Sequence, residues 1–222
     1  MGGRGSGSGL KGDDPTFDWL GQANRSKGDK IKPIDIKKYQ GQSLQQIEGR
    51  IRNLAHEELF AIDREGKIIA AYKGGATSVA IPRNLLKEEG ITVTHGHPKG
   101  YQEYGGTFSF ADVSNMLNSK WQEHRATASG QGEMNYIMRR TENSDPEGLR
   151  NRINRDYPDL KRQEREAYKE TYLREKEARG KKQASHAARQ AQVGVLNAYY
   201  KETFPQYGYE YIVRKTDYQY NR

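Results

Sequence analysis

Apolar residues recur at helical spacing from Ser43 onward: Leu44, Ile47, Ile51 and Leu54 share one face. Ser43 followed by Gln46 has the form of a capping box, so the pattern predicts a helix from Ser43 to about His56. Two short apolar runs follow, Leu59 to Asp63 and Ile68 to Tyr72, around Arg64-Glu65-Gly66-Lys67, which predicts a β-hairpin. Val79 to Ile81 reads as a further short strand, and Pro82 as the opening of a short helix that ends at Gly90. Ile91-Thr92-Val93-Thr94 is β-branched throughout and predicts a central strand running directly into His95 and His97.

Beyond the Gly-rich loop Lys99–Gly106, Ser109 caps a predicted helix from Phe110 to about His124. Arg125–Ser129 and Met134–Arg139 flank Gly130-Gln131-Gly132 and predict a second hairpin. Pro146 and Pro158 occupy first-turn positions of two helices, the second ending near Gly180, and a third helix runs from Ser185 to Glu202. Tyr207–Arg214 is aromatic and β-branched, which predicts a last strand. The whole reads as an α/β (α+β) protein with a central mixed sheet flanked by helices. Its expected organisation is a flexible or extended N-terminal arm over residues 1–42, a metal-binding core over 43–140, and a helical elaboration over 141–222 whose final strand returns to the core.

Composition sharpens this picture. The chain has 222 residues, of which 33% are hydrophobic and 30% charged, and its mean hydropathy is −1.07. A small core carrying long solvated helices fits these values better than two filled cores. The 15 Tyr, 5 Phe and 2 Trp supply packing mass that disordered chains lack. Cysteine is absent, so disulfides and thiolate metal sites are excluded, and any metal must be held by His and carboxylate. No apolar run is long enough to span a bilayer, so no membrane contact and a cytoplasmic location are expected. A net charge of +8 mildly favours an acidic partner.

Of the five histidines, only His95 and His97 stand two apart at the end of a predicted strand. Side chains at i and i+2 of a strand share a face, so both imidazoles can reach one ion. Asp112, in the first turn of the following helix, is placed to be the third ligand. Two His and one Asp leave a fourth position open for water, the arrangement of a catalytic rather than a structural zinc. Each feature also has a structural reading. Ser109 and Asp112 form a capping box with Phe108 and Val113 as its hydrophobic staple, and Pro98 simply ends a strand. The order of these residues on one strand–loop–helix unit favours the metal.

His95-Gly96-His97-Pro98 followed by Ser109-Phe110-Ala111-Asp112 resembles the H-x-H-P…S-x-x-D signature of the JAMM (MPN-plus) metalloproteases, with RadC-type proteins the nearest in character. The likeness extends upstream through Glu58-Leu59-Phe60-Ala61-Ile62-Asp63, a turn and Lys67-Ile68-Ile69, and covers roughly Leu44 to Asn118. It implies one zinc ion per chain held by His95, His97 and Asp112. It further implies a peptidase or isopeptidase in which Glu58 acts as general base and Ser109 donates a hydrogen bond to the oxyanion. Glu57 is the alternative base. Glu58 is preferred because Glu57 then falls on the opposite face of the strand, although a slip of one residue exchanges the two. Two departures stand out: Tyr101–Gly106 lengthens the loop between the second His and the Ser, and Gly96 occupies a position where Ser or Asn is more usual.

Between Lys161 and Lys182 there are nine Lys/Arg against five Glu. The pattern is that of a solvated helix laced with ion pairs, the alternative being an arm that makes weak nucleic-acid contact. Tyr199, Tyr200, Phe204, Tyr207, Tyr209, Tyr211, Tyr218 and Tyr220 read as packing for a final strand and its partner helix. The Gly/Ser-rich start, GGRGSGSG, resembles in composition the linkers of phage and prophage proteins. The expected partner is a peptide or protein substrate. Two alternatives stand beside the peptidase: a non-catalytic phage structural or nucleic-acid-associated module with a vestigial site, and a nuclease-like hydrolase using the same residues.

Overall fold

The computed structural model describes Asp18, Leu20 and residues 31–97, 106–128 and 134–215. Its centre is a seven-stranded mixed sheet in the order β1-β3-β2-β4-β5-β6-β7. The strands are β1 (Lys32–Pro33), β2 (Glu58–Ile62), β3 (Ile68–Lys73), β4 (Thr92–His97), β5 (Glu123–Ala128), β6 (Met134–Arg140) and β7 (Tyr209–Lys215). All neighbours are antiparallel except β4 and β5. That parallel pair needs a crossover connection, which contains α2 (Phe110–Asn118). The Gly-rich loop, including the Tyr101–Gly106 lengthening up to residue 105, and the turn Gly130-Gln131-Gly132 lie outside the described residues, as do Tyr218 and Tyr220.

Helix α1 (Leu44–Ile51) starts on the predicted capping box: Ser43 Oγ accepts from the Gln46 N–H, and the Gln46 side chain accepts from the Ser43 N–H. It stops short of His56, because the chain must turn to place Glu57 beside the end of β3. There the Glu57 N–H donates to the Gly75 carbonyl at 2.7 Å and the Gly74 N–H to the Glu57 carbonyl at 2.8 Å. In the β2–β3 turn, Asp63 Oδ1 accepts from the Glu65 and Lys67 N–H groups, and Gly66 takes the left-handed conformation at φ +83°.

The sheet separates two apolar clusters. Phe60, Ile62, Ile68 and Ala71 pack with Ile47, Ile51 and Tyr39 beneath α1. The opposite face carries the larger cluster, in which Leu59, Ala61 and Val93 meet Val113 and Met116 of α2 and Leu149, Ile153, Leu196 and Tyr200 of α3 (Pro146–Thr203). Leu20 is buried in this second cluster, and its N–H donates to Asn154 Oδ1 at 3.0 Å. β1 pairs with β3 through Lys32–Lys73 and Pro33–Tyr72. In its described residues, the arm therefore packs on this chain.

Four sequence expectations are corrected. Val79 to Ile81 forms no strand; Val79 and Ile81 pack their side chains on the core without a ladder partner among the described residues. The helix expected after Pro82 is a single 3₁₀ turn, Leu85–Lys87. Helix α2 ends at Asn118 rather than near His124: the Ser119 N–H and Oγ both bond to the Met116 carbonyl, and the Arg140 guanidinium takes the carbonyls of Met116 and Ser119. Finally, Pro158 does not open a helix. Helix α3 (Pro146–Thr203) runs through it and breaks at Gly180, where φ is +77°. A mid-helix proline costs about 3 kcal/mol. Leu149, Ile153 and Leu160 are buried on both sides of it, each worth roughly 1.5–3 kcal/mol, so packing carries the helix across.

The two limbs of α3 fold back on each other. Tyr168 Oη lies 3.3 Å from Ser185 Oγ, and the Tyr199 hydroxyl donates to Asp156 Oδ2 at 3.0 Å. Surface pairs such as Arg179–Glu175 and Arg162–Asp159 dress the first limb, each contributing a few tenths of a kcal/mol. Among the described residues no helix is long and apolar enough to cross a membrane.

Candidate metal centre

The site forms where the carboxyl end of β4 meets the first turn of α2. His95 and His97 alternate with Gly96, so both imidazoles project to the α2 face. They lie inside β4 rather than beyond it, and both are buried. Asp112 is the third residue of α2, and its capping box fixes it. Asp112 Oδ2 accepts from the Ser109 N–H at 2.8 Å and from Ser109 Oγ at 2.7 Å, while the Asp112 N–H donates to Ser109 Oγ at 3.2 Å. A carboxylate in the first turn also meets the positive end of the helix dipole.

These elements converge on a small volume. His95 Nε2 lies 3.0 Å from His97 Nε2 and 3.3 Å from Asp112 Oδ1, and His97 Nε2 lies 3.8 Å from Asp112 Oδ2. The far nitrogen of His97, Nδ1, lies 2.9 Å from the Gly106 carbonyl oxygen. A carbonyl can only accept, so that nitrogen carries a proton, and Nε2 is the atom turned inward.

A third imidazole joins them. His124 Nε2 sits 3.2 Å from His95 Nδ1, and His124 Nδ1 lies 3.2 Å from the Asp112 carbonyl oxygen. His124 was expected at the end of α2, but β5 starts two residues earlier than its predicted bound and takes it into the sheet opposite Val93. The signal lay in strand lengths. Met134–Arg139 requires partners down to Glu123, and in the structure Glu123 pairs with Arg139 and His124 with Met138. Together His95, Asp112 and His124 could hold a metal ion, since each offers one ligand atom and these lie within 4.8 Å of one another.

The two glutamates part company. Glu58 faces α1, where it accepts from the Arg50 guanidinium at 2.7 Å and sits 3.1 Å from His56 Nε2. The preference for Glu58 as the acid beside the histidines is therefore corrected. The register sets Leu59 opposite His95 across β2 and β4, so Glu57, two residues before Leu59, shares the histidine face. Its carboxyl is buried and responds to the charges of His97 and Asp112.

Electrostatics follow from burial and from this clustering. Burial pushes the Glu57 carboxyl up to about 7, with His97 opposing and Asp112 assisting. Burial also depresses His95 to about 3 and His124 to about 4, against the pull of Asp112. For Asp112 burial works the other way, but the neighbouring His95 and His97 win and hold its carboxyl well below the usual range. Burial opposes charging His97 too, yet its bond to Asp112 outweighs that and raises it. The ionised Asp112 carboxylate and the neutral His95 are in the protonation state that metal ligation needs, whereas His97 must give up the proton that Asp112 favours.

The C-terminal elements brace the site from behind. Thr107 Oγ1 lies 2.6 Å from the Tyr211 hydroxyl, which also bonds to Asn197, and the Tyr200 hydroxyl donates to the Phe108 carbonyl at 3.3 Å. The segment whose Gly106 carbonyl holds His97 is thus tied to β7 and to the second limb of α3. No protein-family model, curated protein or solved structure matches this chain.

Proposed function

We propose that the chain is a JAMM-like hydrolase of peptide or isopeptide bonds, holding one zinc ion through His95, His97 and Asp112 with Glu57 as general base. The observation that supports this most is the convergence of His95 Nε2, His97 Nε2 and the Asp112 carboxylate within 3.0–3.8 Å of one another. Lone pairs brought this close need a cation among them, a part that a proton on His97 fills in the metal-free site and that zinc would fill in its place. Two imidazoles and a carboxylate are a zinc donor set, and the cysteine-free sequence offers no softer one.

When bound, zinc supplies Lewis acidity, polarising the scissile carbonyl and acidifying a water. The rest falls to the chain. Glu57, poised near neutrality, takes the proton from the attacking water and returns it to the leaving amine. Ser109 Oγ already accepts from the helix N-terminus, so its exposed hydroxyl can turn its hydrogen from Asp112 toward the oxyanion. His95 and His97, locked in a sheet interior, hold their geometry without reorganisation.

The test combines elemental analysis of the full chain with hydrolysis of peptide and ε-amino-linked isopeptide libraries. About one zinc per chain is expected. Glu57→Gln should keep the zinc and lose roughly 10²–10⁴-fold in rate, while Glu58→Gln should stay near wild type. Hydrolysis unchanged in Glu57→Gln, or wild-type protein that binds no zinc, would end this proposal.

A further inference from the structure

We infer that His124 is a positioning residue: it holds His95 in the tautomer that turns an Nε2 lone pair toward His97 and Asp112. Hydrogen-bond accounting leads there in three steps. The Asp112 backbone oxygen can only accept, so His124 Nδ1, 3.2 Å away, carries its ring's proton. The ring is 1% exposed and bonds only to a backbone carbonyl and another imidazole, so burial keeps it neutral and leaves Nε2 bare. A bare Nε2 must accept, so the proton between it and His95, across 3.2 Å, belongs to His95 Nδ1. His95 Nε2 is then bare in its turn, and this is the atom 3.3 Å from Asp112 Oδ1.

The contacts close a ring that begins and ends on one residue. Asp112 presents its backbone carbonyl to His124 and its carboxylate to His95. Rotation of either imidazole would break two contacts at once. Phe108 and Trp121 wall the His124 ring at centroid distances of 5.3 and 5.2 Å, and His95 packs against it at 5.0 Å. Outer partners of this kind set the tautomer, orientation and basicity of a ligating imidazole. The alternative is His124 as a ligand itself, in the set with His95 and Asp112. That set would use the His124 nitrogen now facing His95 Nδ1 and leave the inward Nε2 of His97 idle.

The consequence for metal affinity rests on the zinc reading above, whereas the tautomer itself does not. Imidazole ¹⁵N NMR on metal-free wild-type protein should find His95 protonated at Nδ1. His124→Gln, whose carbonyl can accept in place of Nε2, should keep that tautomer, and His124→Leu should lose it. In competitive zinc titrations His124→Leu should bind roughly 10–100-fold more weakly, and His124→Gln within a few-fold of wild type, while His97→Ala should bind far more weakly than either. His95 protonated at Nε2 in the wild-type protein would overturn the inference. So would abolition of binding in His124→Gln with retention in His97→Ala, which would make His124 a ligand. If no variant binds zinc, the hydrolase proposal fails while the NMR result still decides the role of His124.

Discussion

Gly96 lies directly against the end of α1: a Cβ built on it would sit 2.7 Å from the Ile51 carbonyl oxygen and 3.3 Å from Ile51 Cγ1. The glycine between the two histidines is therefore a packing requirement on the face away from the site. Any side chain at this position would meet the Ile51 carbonyl at the helix terminus.

Gly96→Ala should accordingly destabilise the protein by about 1–3 kcal/mol, the usual range for overpacking a tight contact. Urea unfolding of wild type and variant measures it. Because β4 carries both histidines, the variant should also bind zinc more weakly. A variant of unchanged stability would mean that α1 yields easily at its C-terminus.

Glu57 gives a pH dependence whose sign is fixed by its raised carboxyl. The folded protein releases this proton at about 7, the unfolded chain at 4.5. Between these values the folded state binds more protons, so this contribution to stability is full below 4.5 and falls as pH rises through 7. At 1.36 kcal/mol per unit it amounts to roughly 3 kcal/mol at most. In metal-free protein, Glu57→Gln should therefore gain on wild type between about pH 5 and pH 8, as read from urea midpoints. Parallel profiles for the two proteins would show that Glu57 is not buried as described.

Glu48 is fully buried beneath α1, bonded to the Arg125 guanidinium at 2.5 and 3.2 Å, to Asn135 Nδ2 at 2.8 Å and to the Thr94 hydroxyl at 3.2 Å. Removing one member of a buried pair strands the other, so Glu48→Leu should cost about 3–5 kcal/mol. Arg125 retains Glu123 at 2.9 Å, which points to the lower end. The double variant Glu48→Leu/Arg125→Leu should recover most of the loss. An additive double variant would show that the two charges are not coupled.

Tyr211→Phe removes the hydroxyl that Thr107 and Asn197 share. Leaving the buried Thr107 without it should cost about 1–3 kcal/mol, seen as a lower Tm. Zinc affinity should fall as well, because Thr107 adjoins the Gly106 carbonyl that orients His97. A lower Tm with unaltered zinc affinity would separate β7 from the site.

Much of this was legible in local pattern. The capping boxes at Ser43 and Ser109, the hairpin around Gly66 and the turn at Gly180 each depend on neighbouring residues, and each is present. The grouping of His95, His97 and Asp112 was also readable, because one strand, one loop and one helix cap deliver it. What escaped depended on pairing between distant strands. His124 joins the group through the registry of β5 with β6. Which of Glu57 and Glu58 faces the histidines turns on a single residue of β2 registry, and no local propensity sets that. Pro158 misled because its local cost was outweighed by apolar side chains on both sides of it that pack on the sheet.

The brace between Tyr211 and Thr107 gives the site a dependence on chain order. All the candidate ligands have been synthesised by residue 124, yet the tyrosine that steadies their loop arrives some ninety residues later. A nascent or truncated chain lacking β7 would carry every donor atom but only a slack cradle for an ion. Order of synthesis thus puts the closing brace after every donor it supports.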